Sequence, residues 1–238
     1  MEKQRVVMEK GRAENQKPDG RYRGEAGNLY QKSKHAISAK AFEYVAKMRA
    51  NKFAKWIDAH DAVLEFGVGS GWNLKYLACR EKSGYDVCPK PQTLDTSIDF
   101  SNDIIGFFGK FDKIICHHVI EHTENPVKML NDMKKTINDS GIILIFVPLE
   151  QGRKYRKFTA SDNDHHLFSW NVQTLGNLLD SQNFSVLEYG VLPTGLDRFA
   201  AELAVKLKLT FAGYLLLHKI ARALYGKKEI YFLVRKKS

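Results

Sequence analysis

The segment Val63-Leu-Glu-Phe-Gly-Val-Gly-Ser-Gly-Trp-Asn-Leu74 constrains this chain more than any other. The apolar run Ala62–Phe66 reads as a buried strand that passes directly into Gly67, Gly69 and Gly71, and Trp72–Ala78 is expected to be helical. Without a Cβ, glycine lets the chain turn sharply and lets a ligand approach bare main chain. In open α/β sheets the carboxyl end of a strand is where ligands bind. Three alternating glycines with an acid at the strand end exceed what a simple turn requires. The spacing is G-x-G-x-G, not the dinucleotide G-x-G-x-x-G, and Glu65 stands two residues before the first glycine. A carboxylate repels a pyrophosphate but attracts an ammonium or a sulfonium. No G-K-[ST] follows, so a phosphate-cradling loop is excluded.

Strand and helix signals alternate along the rest of the chain. Lys82–Val87, Thr96–Phe100, Phe111–His117, Gly141–Val147, Phe184–Tyr189 and Glu229–Val234 read as further strands. Asn125–Asn138, with Pro126 in its first turn, and Asn171–Leu179 read as helices. Such alternation implies a mostly parallel sheet covered by helices on both faces. At 238 residues the chain suits a single domain of the larger kind. A charged tail over 1–24 is expected to lead into a helical cap over 25–58. The core would span 59–193 plus 228–238, with a helical insert over 194–227 before the last strand.

Four segments then combine. Glu65–Gly71 gives E-x-G-x-G-x-G, and Asp86 follows Glu65 by 21 residues at the end of the second strand. Phe111–His122 (FDKIICHHVIEH) is a strand ending in a V-I-E-H turn, and Asp139–Pro148 (DSGIILIFVP) is a glycine-led strand. In this order and spacing they resemble the motifs of class I S-adenosylmethionine-dependent methyltransferases, notably the small-molecule and lipid-pathway type of ubiquinone biosynthesis. The resemblance covers roughly residues 55–193 and the last strand. It implies a Rossmann-like, seven-stranded α/β fold and S-adenosyl-L-methionine as cofactor, with S-adenosyl-L-homocysteine as product. Implied cofactor contacts are the main chain of Gly67, Val68, Gly69 and Gly71, with Glu65 at the ammonium and Asp86 at the ribose. Asn102 and Asp103 would meet the adenine, and Cys116 and His117 the sulfonium.

Methyl transfer to a hydroxyl or an acidic carbon is helped by a base, and histidine suits that task near neutral pH. The candidates are His117, His118, His165 and His166, while His122 is expected to brace a loop. His35 is a further candidate for the cofactor's carboxylate, against an exposed helix position. Asp162, Asp164, His165 and His166 are of metal-ligating type, but a contiguous run implies no preorganised geometry, and no metal is expected.

The formal charge is +10, and its excess sits at the ends. Residues 1–50 carry 12 basic and 6 acidic side chains, 194–238 carry 10 and 3, and the middle is slightly acidic. Basic ends suit an anionic surface or simple solvation. The apolar helical stretch 195–225 carries Lys206, Lys208, Lys219 and Arg222, which suits a lid, an interface or peripheral contact with an anionic bilayer. Three cysteines with no C-x-x-C fit a reducing compartment, and a cytoplasmic enzyme is expected. The acceptor is expected to be a small or lipid-like molecule methylated at oxygen or carbon. The alternatives are an RNA methyltransferase using the basic termini and a non-catalytic cofactor-binding subunit.

Overall fold

A computed structural model describes residues 20, 22–34, 36–150, 158 and 165–237. Most of the expected tail, His35, Asp162 and Asp164 lie outside the described residues. Seven strands form one sheet: β1 (Ala62–Phe66), β2 (Glu81–Tyr85), β3 (Asp99–Ser101), β4 (Phe111–His117), β5 (Ile137–Leu149), β6 (Phe184–Pro193) and β7 (Lys228–Lys236). Their order is β3-β2-β1-β4-β5-β7-β6. The first five strands run parallel, and β7 lies antiparallel between β5 and β6. This is the expected Rossmann-like sheet. Its order reverses between β1 and β4, and a crevice opens there at the carboxyl ends of the strands.

Alternation along the strands assigns side chains to two faces. Leu64, Ile114 and Ile145 pack with Leu130 and Met133 of α3 (Pro126–Thr136) and with Leu175 and Leu179 of α4 (Val172–Ser181). Val63, Ile115, Leu144 and Phe146 face the other way, against Phe53 of α2 (Ala39–Phe53) and Leu74, Leu77 and Ile98. Helix starts follow ordinary capping chemistry: Ser38, Asn125 and Asn171 side chains each accept a backbone N–H of the first turn.

Trp72–Ala78 is not a helix. Turns form instead, with Lys75 N–H donating to Gly71 O at 3.0 Å and Leu77 N–H to Leu74 O at 3.1 Å. The buried Leu74 and Leu77 pack with Phe53 and Ile57, and Asn73 is drawn onto Glu65, so tertiary contacts override the local helical pattern.

The long helical region divides into α5 (Asp197–Lys206) and α6 (Phe211–Tyr225). Lys208 adopts φ 54° at the break, and Tyr44 Oη donates to Leu209 O at 2.7 Å. Ala200, Ala201 and Ala204 let α5 approach α2 closely at Ala41 and Val45. Helix α1 (Gly24–Lys34) lies over the crevice, to which it contributes Tyr30 and Gln31. No described helix is long and apolar enough to cross a membrane.

Candidate functional site

The crevice has a volume of about 1140 Å³, room for a nucleoside-sized ligand and a second molecule beside it. Its floor is the glycine loop. Gly67, Gly69 and Gly71 take φ of 80°, 47° and 72°, a region that side chains resist. A Cβ on Gly67 would also fall within the Val119 side chain. Asp86 follows β2 directly and ties the loop down. Its two oxygens accept Gly69 N–H and Cys88 N–H, each at 2.8 Å. Burial nevertheless pushes the Asp86 carboxyl above the usual range.

Glu65 is 2% exposed, on the face of β1 shared with Val63. One of its oxygens accepts from Asn73 Nδ2, and the other has no hydrogen-bond partner. Burial raises its pKa to about 8, against the pull of Asn73 and Arg49. Arg49, from α2, also lines the crevice. Its guanidinium lies over the Trp72 ring and bonds Asp197 Oδ2 at 3.3 Å, and its buried Nε lacks a partner. An unpartnered buried carboxylate oxygen and an unpartnered guanidinium N–H on one cavity suit a ligand bearing both an ammonium and a carboxylate.

Some expected contacts lie elsewhere. Gly71 packs against Leu94 and Ile98 behind the loop. Asn102 Nδ2 donates to Asp86 O and Cys88 O, which shapes the loop after β2, and Asp103 caps Ile105 N–H. Neither residue lines the crevice. Cys116 points into the core beneath α3, where burial pushes its thiol well above the usual range. His165 has φ 47° and offers its carbonyl to His122 Nδ1 at 3.4 Å, with no side-chain share of the crevice wall.

His117 and His118 do reach the crevice. Their rings stack at 4.3 Å, and His118 adopts φ 57°. Both face Glu229, with Nε2 of His117 at 3.4 Å and Nε2 of His118 at 3.2 Å from its Oε2. Lys52 Nζ completes the group, 2.6 Å from Glu229 Oε1 and 3.0 Å from His117 Nε2. Burial, then the Lys52 and His118 charges, hold His117 well below the usual histidine range, so it stays neutral. Burial alone would raise Glu229, but Lys52 and the two imidazoles outweigh it and hold the carboxyl well below normal.

A second group lies after β4. Val119 O accepts His122 N–H at 2.9 Å, and Glu121 O accepts Leu167 N–H at 2.8 Å, which brings His166 beside the turn. Glu150 contacts His166 Nδ1, and Tyr22 Oη lies 3.3 Å from His122 Nδ1. His122 thus braces a loop and also lines the crevice.

Arg49, Lys52, Glu150 and Glu229 fall in no motif, and Asn73 and Glu121 stand inside the glycine-loop and V-I-E-H segments with no role assigned by them. One signal was available: Glu229 is an acid inside an otherwise apolar strand, and such residues are rarely buried unless paired.

The model of the methyltransferase-domain family matches residues 37–189. No curated protein matches the chain in sequence. Among solved structures, the chain is similar to Burkholderia thailandensis 1,6-didemethyltoxoflavin-N1-methyltransferase, which was crystallised with 1,6-didemethyltoxoflavin and S-adenosylhomocysteine. Identity is 13%, the TM-score 0.56, and 89% of this chain and 85% of that one are covered. Coclaurine N-methyltransferase bound to N-methylheliamine and SAH gives 12% identity and a TM-score of 0.54, covering 88% and 82%. The [4+2]-cyclase SpnF gives 14% and 0.54, covering 81% and 80%. At these identities the likeness is one of fold.

Proposed function

Because the chain belongs to the class I S-adenosylmethionine-dependent methyltransferases, we propose that its crevice binds S-adenosylmethionine beside a small or lipid-like acceptor methylated at oxygen or carbon. When bound, the cofactor supplies a methyl group already activated on a sulfonium. Glu65 would hold the ammonium, Arg49 the carboxylate and Asp86 the ribose hydroxyls. The loop Gly67–Gly69 supplies main chain at close range. The unpartnered Glu65 oxygen supports this assignment.

The His118–Glu229 pair carries the acceptor reading. With Nε2–H donated to Glu229, Nδ1 of His118 is the unprotonated nitrogen and is suited to take a proton from a hydroxyl or an acidic carbon. Glu229 is a positioning residue that fixes the tautomer and steadies the imidazolium. Lys52 keeps Glu229 ionised.

The lipid-like class of acceptor draws support from the outer face of α6. Leu216, Ile220 and Leu224 recur every fourth residue and are 62%, 50% and 85% exposed, with Lys219 exposed beside them.

The test uses methyl-labelled cofactor and fractionated cell extract. Label is expected in small-molecule or lipid fractions, with kcat lowered about 10²–10⁴-fold in His118→Gln while cofactor affinity is kept. Glu229→Gln should lower kcat likewise, through lost control of the tautomer, with KM for the cofactor kept. Label confined to RNA, or a His118→Gln enzyme of full activity, would refute the reading.

A further inference from the structure

Two groups of side chains in the crevice bring metal-ligating atoms together: His117, His118 and Glu229, and Glu121, His122 and His166. The first already surrounds a cation, the Lys52 ammonium. The second has none among the described residues. One ligating atom from each of its members lies within 4.8 Å of the other two. Glu121 is 1% exposed, and neither of its oxygens accepts a hydrogen bond. Its ion-pair neighbour is the His122 ring, with Nε2 4.0 Å from Oε1. A carboxylate held this way is costly as a bare anion, because nothing replaces the water it lost. A divalent cation among the three side chains would replace it.

We infer that Glu121, His122 and His166 bind a divalent first-row transition-metal ion of the zinc class, with its open coordination position facing the crevice. Two imidazoles and one carboxylate suit such ions, whereas magnesium and calcium prefer all-oxygen sites. Three protein ligands are also the number found where a metal keeps a position free for water or substrate. The outer contacts agree. Glu150 engages His166 Nδ1, and Tyr22 Oη and the His165 carbonyl engage His122 Nδ1. Each ring thus has its Nδ1 oriented by an outer group, the second-shell arrangement that fixes a metal-binding histidine. Glu121, His122, Glu150 and His166 all line the crevice. That an acceptor oxygen takes the open position rests on the methyl-transfer reading, but the ion site itself does not.

The experiment uses the full chain, stripped of metal by chelation and free of cofactor. It is titrated with Co²⁺, followed by visible absorption, and then challenged with Zn²⁺. One equivalent of Co²⁺ should produce d–d bands that Zn²⁺ abolishes. Glu121→Gln and His166→Gln should each weaken Co²⁺ binding by more than about 100-fold, and Glu150→Gln by about 10–100-fold with altered bands. His117→Gln should leave the bands and the affinity as they are. Metal-free Glu121→Gln should melt no lower than the metal-free parent, which shows that lost binding is not lost folding. Absence of a saturable band, a band that survives both Glu121→Gln and His166→Gln, or one that His117→Gln abolishes would each overturn the site. None of these readings involves the cofactor, so failure here leaves the methyl-transfer proposal standing.

Discussion

Replacing Lys52 with methionine tests the buried charge group at the strand ends. The ammonium lies 2.6 Å from Glu229 Oε1, and Glu229 is 2% exposed. Removing one partner of a buried pair strands the other, at a cost of about 3–5 kcal/mol. The full deficit is expected near pH 8, where Glu229 is ionised and His117 is neutral. Acid should reduce it. In the parent, burial, Lys52 and His118 depress His117, so below about pH 6.5 the unfolded chain binds a proton that the native one does not. Native stability then falls by about 1.4 kcal/mol per pH unit as pH drops through that window. Without Lys52, His117 can take the proton and pair with Glu229, so the variant escapes part of this loss. The deficit should shrink by roughly 1 kcal/mol between pH 6.5 and 5.5. Glu65 acts in the opposite sense. Its folded pKa of about 8 gives stability at low pH that is lost as pH rises toward 8, but it does so in both proteins and cancels in the difference. Glu229 itself titrates below its ordinary value, beneath the range used. Urea unfolding at several pH values from 5.5 to 8, extrapolated linearly, gives the difference. A deficit below about 1 kcal/mol at pH 8, or one that does not change with pH, would refute the coupled group.

Three further outcomes are expected. Cofactor affinity should rise with pH up to about 8, because the ammonium must ionise Glu65. Glu65→Gln should lose about 10–100-fold in affinity together with most of that pH dependence, read by calorimetry. Gly67→Ala should lose cofactor binding and about 1–3 kcal/mol of stability, through its positive φ and the Val119 side chain. Gly106→Ala, which meets open space, should be neutral or slightly stabilising, and equal effects in urea unfolding would refute the strain argument. The double change Leu216→Glu and Leu224→Glu should abolish co-sedimentation with anionic vesicles without lowering the melting temperature, since both positions are exposed. Unchanged retention would remove the support for a membrane-facing α6.

Much of the sheet was legible, because buried strands of a parallel sheet read as apolar runs. Phe111–His117 matches β4 residue for residue. The first crossover was not legible. Trp72–Ala78 has apolar residues at helical spacing, yet Leu74 and Leu77 are held by packing with Phe53 and Ile57, and such tertiary contacts are not a local property. The division of 195–225 into α5 and α6 was missed for a similar reason. Lys208 in a left-handed conformation breaks the run without a glycine or a proline, and the turn is fixed by Tyr44, 165 residues away.

The two ends of the crevice differ in how they can be written in sequence. Contact between a ligand and main chain demands glycine at fixed intervals, since any other residue places a Cβ in the way. That demand yields a motif, which is why Gly67, Gly69, Glu65 and Asp86 stand out. The end proposed for the acceptor is built from single side chains on distant segments: Lys52 from α2 meets Glu229 at β7, and Glu121 after β4 meets His166 before α4. No spacing rule joins residues 177 positions apart, as Lys52 and Glu229 are. Such a group is held together by burial and charge alone, because each member is costly without the others. On the proposed reading, acceptor chemistry rests on histidines that pattern marks together with partners, Lys52 and Glu229, that it leaves unmarked, while the cofactor would be held by the loop that pattern marks best.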